Sequence, residues 1–205
     1  MYAVVRLYKL KSTGDAGKVV ETTRNGFLPI ITKSPGYVAY TMAVAAGGEL
    51  VTVGFFLDRA GAEESTQLAA DWVRDNVAWS VEGPPKIAEG EVRIQEVRDG
   101  EATYGTMRRG KVRPGKMQEA FELLRTKLVP LLSSAPGFVR VAFLESGTDE
   151  YLSLAAWTDR SSAEEATRRA MVLMQEQGDV IAGPPEMMDA DIKLHDVNEA
   201  ALTTS

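Results

Sequence analysis

The stretch SAPGFVRV, at Ser134 to Val141, decides the fold, because nearly the same phrase, KSPGYVAY, stands at Lys33 to Tyr40. Pro35 and Pro136 lie 101 positions apart. Proline presets the first central position of a tight turn, and glycine accepts positive φ at the second. Each phrase therefore predicts a turn that leads into a strand, and the pair predicts an internal duplication.

The duplication extends over most of the 205 residues. Residues 57–64, LDRAGAEE, match residues 158–165, TDRSSAEE, and Gly83-Pro84-Pro85 matches Gly183-Pro184-Pro185. We therefore expect a first repeat at residues 1–98, a second repeat at 102–198 and a C-terminal tail at 199–205.

Periodicity gives the order of elements within a repeat. In the second repeat a strand is predicted before Pro114, and apolar residues then recur every three or four positions on one helix face, at Met117, Ala120, Phe121, Leu124 and Leu128. A hairpin over 138–158 follows. Ser162 and Glu165 have the spacing of a capping box that opens a second helix, and a last strand runs over 187–197. The first repeat shows the same order.

The predicted fold class is therefore α+β, with two ferredoxin-like βαββαβ repeats. Each repeat has helices on one face of an antiparallel sheet and leaves the other face uncovered. An uncovered apolar sheet needs a cover, and two copies in one chain provide it by packing sheet to sheet. We expect a monomer built as an internal pseudo-dimer. The sequence leaves further oligomerisation open.

Composition excludes several classes of protein. With 23 Lys and Arg against 29 Asp and Glu, the net charge of −6 disfavours nucleic acid and anionic membranes as partners. There is no cysteine, so disulfides and thiolate chemistry are excluded. The first residues lack the basic-then-apolar order of a signal peptide, and no apolar run is long enough to span a membrane. These features predict a cytoplasmic protein.

Three motifs resemble the dimeric α+β barrel superfamily, in its antibiotic-biosynthesis-monooxygenase-like members. They are Val112-Arg113-Pro114-Gly115-Lys116, Ala135-Pro136-Gly137-Phe138, and the strand end that runs from Trp157 into Ser161-Ser162-Ala163. The resemblance covers nearly the whole chain as a fused pair. It implies the barrel fold, and a function between cofactor-free monooxygenases, haem-degrading enzymes, isomerases and members with no assigned role.

Alternation along the strands suggests which side chains line the barrel interior. If the aliphatic set Leu152, Leu154 and Ala156 meets the helices, the interior becomes aromatic and basic. The candidate pocket residues are then Trp157, Arg108, Tyr104, Phe56, Arg6, Arg140, Ser153 and His195. Because Phe56 stands where the second repeat has Trp157, the second repeat is the favoured place for a pocket.

Two interpretations of this set compete. The arginines bridge carboxylates and the aromatics fill the core, or they form a pocket for a planar aromatic or anionic small molecule. His195, the only histidine, is a candidate general base or a rim residue. The strand spacing of its acidic neighbours argues against a metal site. The haem-degrading relatives carry a helix histidine that neither repeat has here, so no cofactor is expected.

The sequence thus predicts a small-molecule-binding protein, with a cofactor-independent monooxygenase acting on an aromatic or quinol-like substrate as one hypothesis. The alternatives are a non-catalytic ligand-binding or stress-associated protein, and a structural module with a filled interior. Catalytic residues stay unassigned. The basic stretch from Met107 to Lys116 does not form one nucleic-acid stripe, because Arg108 and Arg109 face opposite ways on a strand.

Overall fold

A computed structural model describes residues 1–202 of the chain, so the last part of the predicted tail lies outside the described residues. The first repeat consists of β1 (Tyr2–Lys9), α1 (Ala16–Thr22), α2 (Leu28–Ile31), β2 (Tyr37–Ala45), β3 (Glu49–Phe56), α3 (Arg59–Asn76) and β4 (Lys86–Val97). The second consists of β5 (Tyr104–Lys111), α4 (Met117–Leu123), α5 (Val129–Ser133), β6 (Phe138–Gly147), β7 (Glu150–Trp157), α6 (Arg160–Gln175) and β8 (Glu186–Val197). A short helix, α7 (Glu199–Leu202), follows. The predicted βαββαβ order is confirmed in both repeats.

The eight strands form a closed barrel in the order β1-β3-β2-β8-β5-β7-β6-β4. Neighbours run antiparallel, as in the pairing of Arg6 with Thr52 between β1 and β3 and of Arg108 with Ser153 between β5 and β7. This is the barrel expected of two fused ferredoxin-like repeats. Closure leaves no free sheet edge, so every strand has two partners.

The chain divides into two compact units, one of Met1–Glu91 with the segment from Ala190 onward, the other of Val92–Asp189. The long strands β4 and β8 each cross from one unit to the other. In the first unit β2 pairs with the second half of β8, for example Thr41 with His195. In the second unit Arg98 N donates to Val139 O after the end of β4. The repeat boundaries inferred from the sequence stay a prediction.

The first helix of each repeat contains a π-helical turn, at Thr23–Phe27 and at Leu124–Leu128. Pro29 and Pro130 follow these turns at the start of α2 and α5. Because proline has no N–H to donate to the previous turn, the regular helical ladder is interrupted at that point. The irregularity is present at the same place in both repeats.

Membrane-spanning helices are absent from residues 1–202, where no helix has the length and apolar character that a crossing requires.

Candidate functional site

The sheet faces are the reverse of those predicted. Phe56 lies against α3, because a Cβ added to Gly61 would stand 3.4 Å from its ring. Trp157, only 1% exposed, shares a core cluster with Ala163 and Ala166 of α6. Phe56, Trp157 and Arg6 therefore lie on the helix-covered face, and the prediction that these three line the barrel interior is wrong.

The physical reason is that both faces of these strands are buried. Leu152 and Ala156, on the face turned away from the helices, are as inaccessible as Tyr151 and Trp157 on the other. A sheet buried on both sides is apolar on both, so hydropathy cannot identify the helix side. Small residues on the inner helix faces did carry that information, because Gly61, Ala62 and Ala163 leave room for large side chains from the sheet.

A cavity lies between the sheet and the helices of the first repeat. We call it the first-repeat cavity, and its lining comes from the strands, the helices and the segment after α3. The strands contribute Arg6, Tyr8, Tyr40, Met42, Leu50 and Thr52. The helices contribute Val19, Thr23, Phe27, Ala69, Trp72 and Val73, and the segment after α3 contributes Val77 and Val81. The sequence favoured the second repeat as the place for a pocket, but this cavity lies in the first repeat.

The enclosed part of the cavity is small. The space open to the centre of a water molecule is about 30 Å³, enough for about two water molecules. Counted out to open solvent, the recess measures about 410 Å³. The smaller figure counts only positions that the centre of a water molecule can take, and the larger counts all space between the atoms, open solvent included. Because ligand pockets usually exceed about 300 Å³, an aromatic ring would occupy the outer part and displace side chains there.

Arg6 is the charged residue of the first-repeat cavity, and it is 2% exposed. Its Nη2 donates to Ser65 Oγ at 2.8 Å and to Thr66 Oγ1 at 2.7 Å, both on α3. The buried Nε has no hydrogen-bond partner, and within residues 1–202 no carboxylate forms an ion pair with this guanidinium. Burial lowers the pKa of Arg6, although the group stays protonated at neutral pH.

Two phenols accompany Arg6. Burial raises the pKa of Tyr8, and the nearby Arg6 charge opposes that shift. Burial likewise raises the pKa of Tyr40 far above its usual value, while a hydrogen bond with Thr52 acts in the other direction. Both phenols therefore stay protonated at neutral pH and are available as donors. The cavity lining contains no Asp, Glu or His. It is suited to an anion and offers no side chain that would accept a proton.

The equivalent residues of the second repeat contact one another. Arg108, the counterpart of Arg6, forms an ion pair with Asp189 and donates to Thr167 Oγ1 at 3.2 Å. Ser153 pairs with Arg108 across the strands, as Thr52 does with Arg6. Tyr104 accepts a hydrogen bond from Arg160 Nε at 3.1 Å. These candidates are held in internal contacts.

The two remaining candidates lie elsewhere. His195 Nδ1 is 2.8 Å from Thr41 Oγ1, and its neighbour Leu194 packs with the helix-side core, so His195 faces the other side. Arg140, next to the core residue Val141, also lies on that other side, where burial lowers its pKa. Neither lines the first-repeat cavity. Within residues 1–202 no cluster of three His, Asp or Glu could hold a metal.

Sequence reasoning missed most of the cavity. Of the eight candidates only Arg6 lines it, whereas Tyr8, Tyr40 and Trp72 were not singled out. One signal could have revealed it. Ser65 and Thr66 stand on α3 where the second repeat has Ala166 and Thr167, and Ser65 is fully buried. A buried hydroxyl on a helix face indicates a polar partner from the sheet.

Comparison with known proteins agrees with the fold. Residues 103–173 match the family model described as antibiotic biosynthesis monooxygenase. The match lies within the second repeat, and the fold of the whole chain is that of two fused ferredoxin-like repeats in one closed barrel. The match thus falls on the repeat whose arginine is paired with Asp189, and the first-repeat cavity lies outside the matched residues.

Solved structures share the fold over the whole length. A proposed monooxygenase of Fusobacterium nucleatum is 14% identical with a TM-score of 0.77, and the match covers 96% of this chain and 94% of that one. A proposed monooxygenase of Lactobacillus acidophilus is 8% identical with a TM-score of 0.75, and the match covers 96% of this chain and 97% of that one. An anthrone oxidase-like protein is 15% identical with a TM-score of 0.65, and the match covers 96% of this chain and 92% of that one. No curated protein sequence matches the chain. At these identities the likeness shows the fold alone.

Proposed function

We propose that this protein is a cofactor-independent monooxygenase, acting in the first-repeat cavity on an ionised aromatic molecule of the quinol or anthrone kind. The observation that carries the proposal is the buried, unneutralised guanidinium of Arg6 beside a cavity walled by Phe27 and Trp72. A positive charge in a site of low dielectric favours the anionic form of a bound molecule. The antibiotic biosynthesis monooxygenase match supports the reaction type.

The chemistry balances without a further reductant. A ring CH₂ loses a proton, and the carbanion gives one electron to O₂ to form a radical pair. Recombination makes a C–O bond, protonation gives a hydroperoxide, and loss of water leaves a carbonyl, so CH₂ and O₂ become C=O and H₂O. Arg6 would stabilise the carbanion in its enolate form. The lining supplies no basic side chain, so the proton passes to solvent.

Oxygen uptake with quinols and anthrones tests this function. We expect Arg6→Met to lower kcat/KM by about 100-fold or more, because the charge that favours the anion is lost. The matched variant Arg108→Met should stay within about twofold. If Arg108→Met lowered kcat/KM more than Arg6→Met, the site would have to be assigned to the second repeat. Circular dichroism spectra of both variants control for folding.

The missing proton acceptor also favours a second candidate, a protein that only holds its ligand. Binding without oxygen uptake across the whole screen would select this alternative and overturn the monooxygenase proposal. A cytoplasmic location also stays a proposal.

A further inference from the structure

The two arginines that the duplication places in equivalent positions have different electrostatic partners. Arg108 is paired with the carboxylate of Asp189 on β8, and it also donates to Met188 O at 3.2 Å. The Arg108 side chain is 13% exposed. Because a buried guanidinium is costly unless a carboxylate or similar anion pairs with it, the second repeat meets this need internally.

The first repeat lacks that internal carboxylate. Glu89 occupies the position of Asp189 in the repeat, yet its Oε1 accepts a hydrogen bond from Tyr2 Oη at 3.4 Å. Glu89 influences the pKa of Arg6 only weakly, as the last of its contributors. In the described part of the chain Arg6 therefore has hydroxyl partners and an unused Nε–H, with no anion in contact.

A second difference concerns the tyrosine near each arginine. In the second repeat the ring of Tyr151 lies over Gly110, where an added Cβ would stand 2.2 Å from the ring. In the first repeat the same cross-strand pair is reversed, with Tyr8 on β1 opposite Leu50 on β3. Both of these residues line the first-repeat cavity. The tyrosine thus comes from the third strand in one repeat and from the first strand in the other, and within residues 1–202 no carboxylate contacts Arg6 as Asp189 contacts Arg108.

We propose that the first-repeat cavity binds the carboxylate of a small aromatic acid, one per chain, with Arg6 holding the carboxylate as Arg108 holds Asp189. The 30 Å³ open to the centre of a water molecule suits a group about the size of two water molecules. The ring of the acid lies toward the opening, beside Trp72 and Phe27. As a statement about substrate class this rests on the proposed function, but the binding itself requires no turnover.

The test is isothermal titration with benzoate as the probe and benzamide, its neutral isostere, as the control. We expect benzoate to bind with a stoichiometry of one per chain and at least tenfold more tightly than benzamide. Arg6→Met should abolish the preference, and Arg108→Met should keep it. Arg6→Lys, which keeps the charge and loses the planar fork, should retain weaker binding and shows that loss in Arg6→Met is not misfolding.

Three outcomes overturn the inference: equal affinity for benzoate and benzamide, unchanged benzoate binding in Arg6→Met, or tighter binding of 4-nitrophenolate than of benzoate. The last would show that a single phenolate oxygen is the preferred anion. Failure of the monooxygenase proposal is distinguishable. If benzoate binds but no oxygen is taken up, the inference of a carboxylate site holds and the monooxygenase proposal fails. If quinols are turned over and benzoate does not inhibit the reaction, the carboxylate site is refuted and the monooxygenase proposal holds.

Discussion

Arg6 illustrates how a single residue can favour ligand binding at the expense of stability. Its charge is buried with hydroxyl partners only, and desolvation of such a group is costly. Ser65 and Thr66 still donate to Ala62 O when the guanidinium is removed. We therefore expect Arg6→Met to raise the melting temperature of the ligand-free protein by a few degrees.

The matched variant is Arg108→Met, which leaves Asp189 without its partner and should lower the melting temperature instead. Differential scanning calorimetry of the two variants measures both shifts. If Arg6→Met were the more destabilised of the two, Arg6 would contribute net stability in the absence of a ligand. The argument for a missing anion would then lose its basis.

At the same scale, the chemical type of the site residues was predictable, but their side of the sheet was not. Arg6, Arg108 and Trp157 were correctly grouped on one face, since strand alternation depends only on sequence spacing. Whether that face lies against the helices depended on the sizes of the residues on those helices. Trp157 shows the consequence, because it is packed edge to face with Phe138 at 5.6 Å between ring centroids, as a core residue.

The helix starts show what element-scale reasoning can and cannot supply. The predicted capping box at Ser162 and Glu165 is wrong, because α6 begins at Arg160 and its N-cap is Asp159. Asp159 Oδ1 accepts from Ser162 N at 2.9 Å, and Asp58 makes the same contact with Gly61 N in α3. A capping aspartate repeated 101 positions apart was the stronger signal in the sequence.

Asp159→Ala should lower the melting temperature by a few degrees at pH 7, since three hydroxyl groups and Ser162 N lose their common acceptor. Those hydrogen bonds hold the pKa of Asp159 well below its usual value. The stabilisation is therefore present above the ordinary aspartate pKa of about 3.9 and decreases as the pH falls below it. Asp159→Asn, which keeps an acceptor oxygen, is the control. A difference between wild type and Asp159→Ala that persists unchanged at pH 2 would contradict this account.

At the scale of the whole molecule, the duplication made the fold predictable. A repeat of 101 residues reports long-range structure directly, and an uncovered sheet in each copy leaves few ways to bury it. The division of the chain within β4 and within β8 was not predictable. Pairing across repeats depends on strand length and register, and neither has a local signature in residues 86–97 or 186–197.

The whole barrel should also lose stability in alkali, because several tyrosines are buried in both repeats. Burial raises the pKa of Tyr151 to about 12 and raises that of Tyr8, Tyr37 and Tyr40 as well. An unfolded tyrosine ionises near pH 10. Each raised group thus contributes stability that is complete below pH 10 and is lost as the pH rises toward its folded value.

Tyr151→Phe isolates one of these contributions. Wild type and variant should have similar free energies of unfolding between pH 7 and 9. Above pH 10 the wild type should lose stability faster, by up to about 1.4 kcal/mol per pH unit, until Tyr151 itself ionises near pH 12. Urea unfolding across this range measures the difference. Parallel curves for the two proteins would mean that Tyr151 ionises equally easily when folded and unfolded, which would contradict the burial of its ring over Gly110.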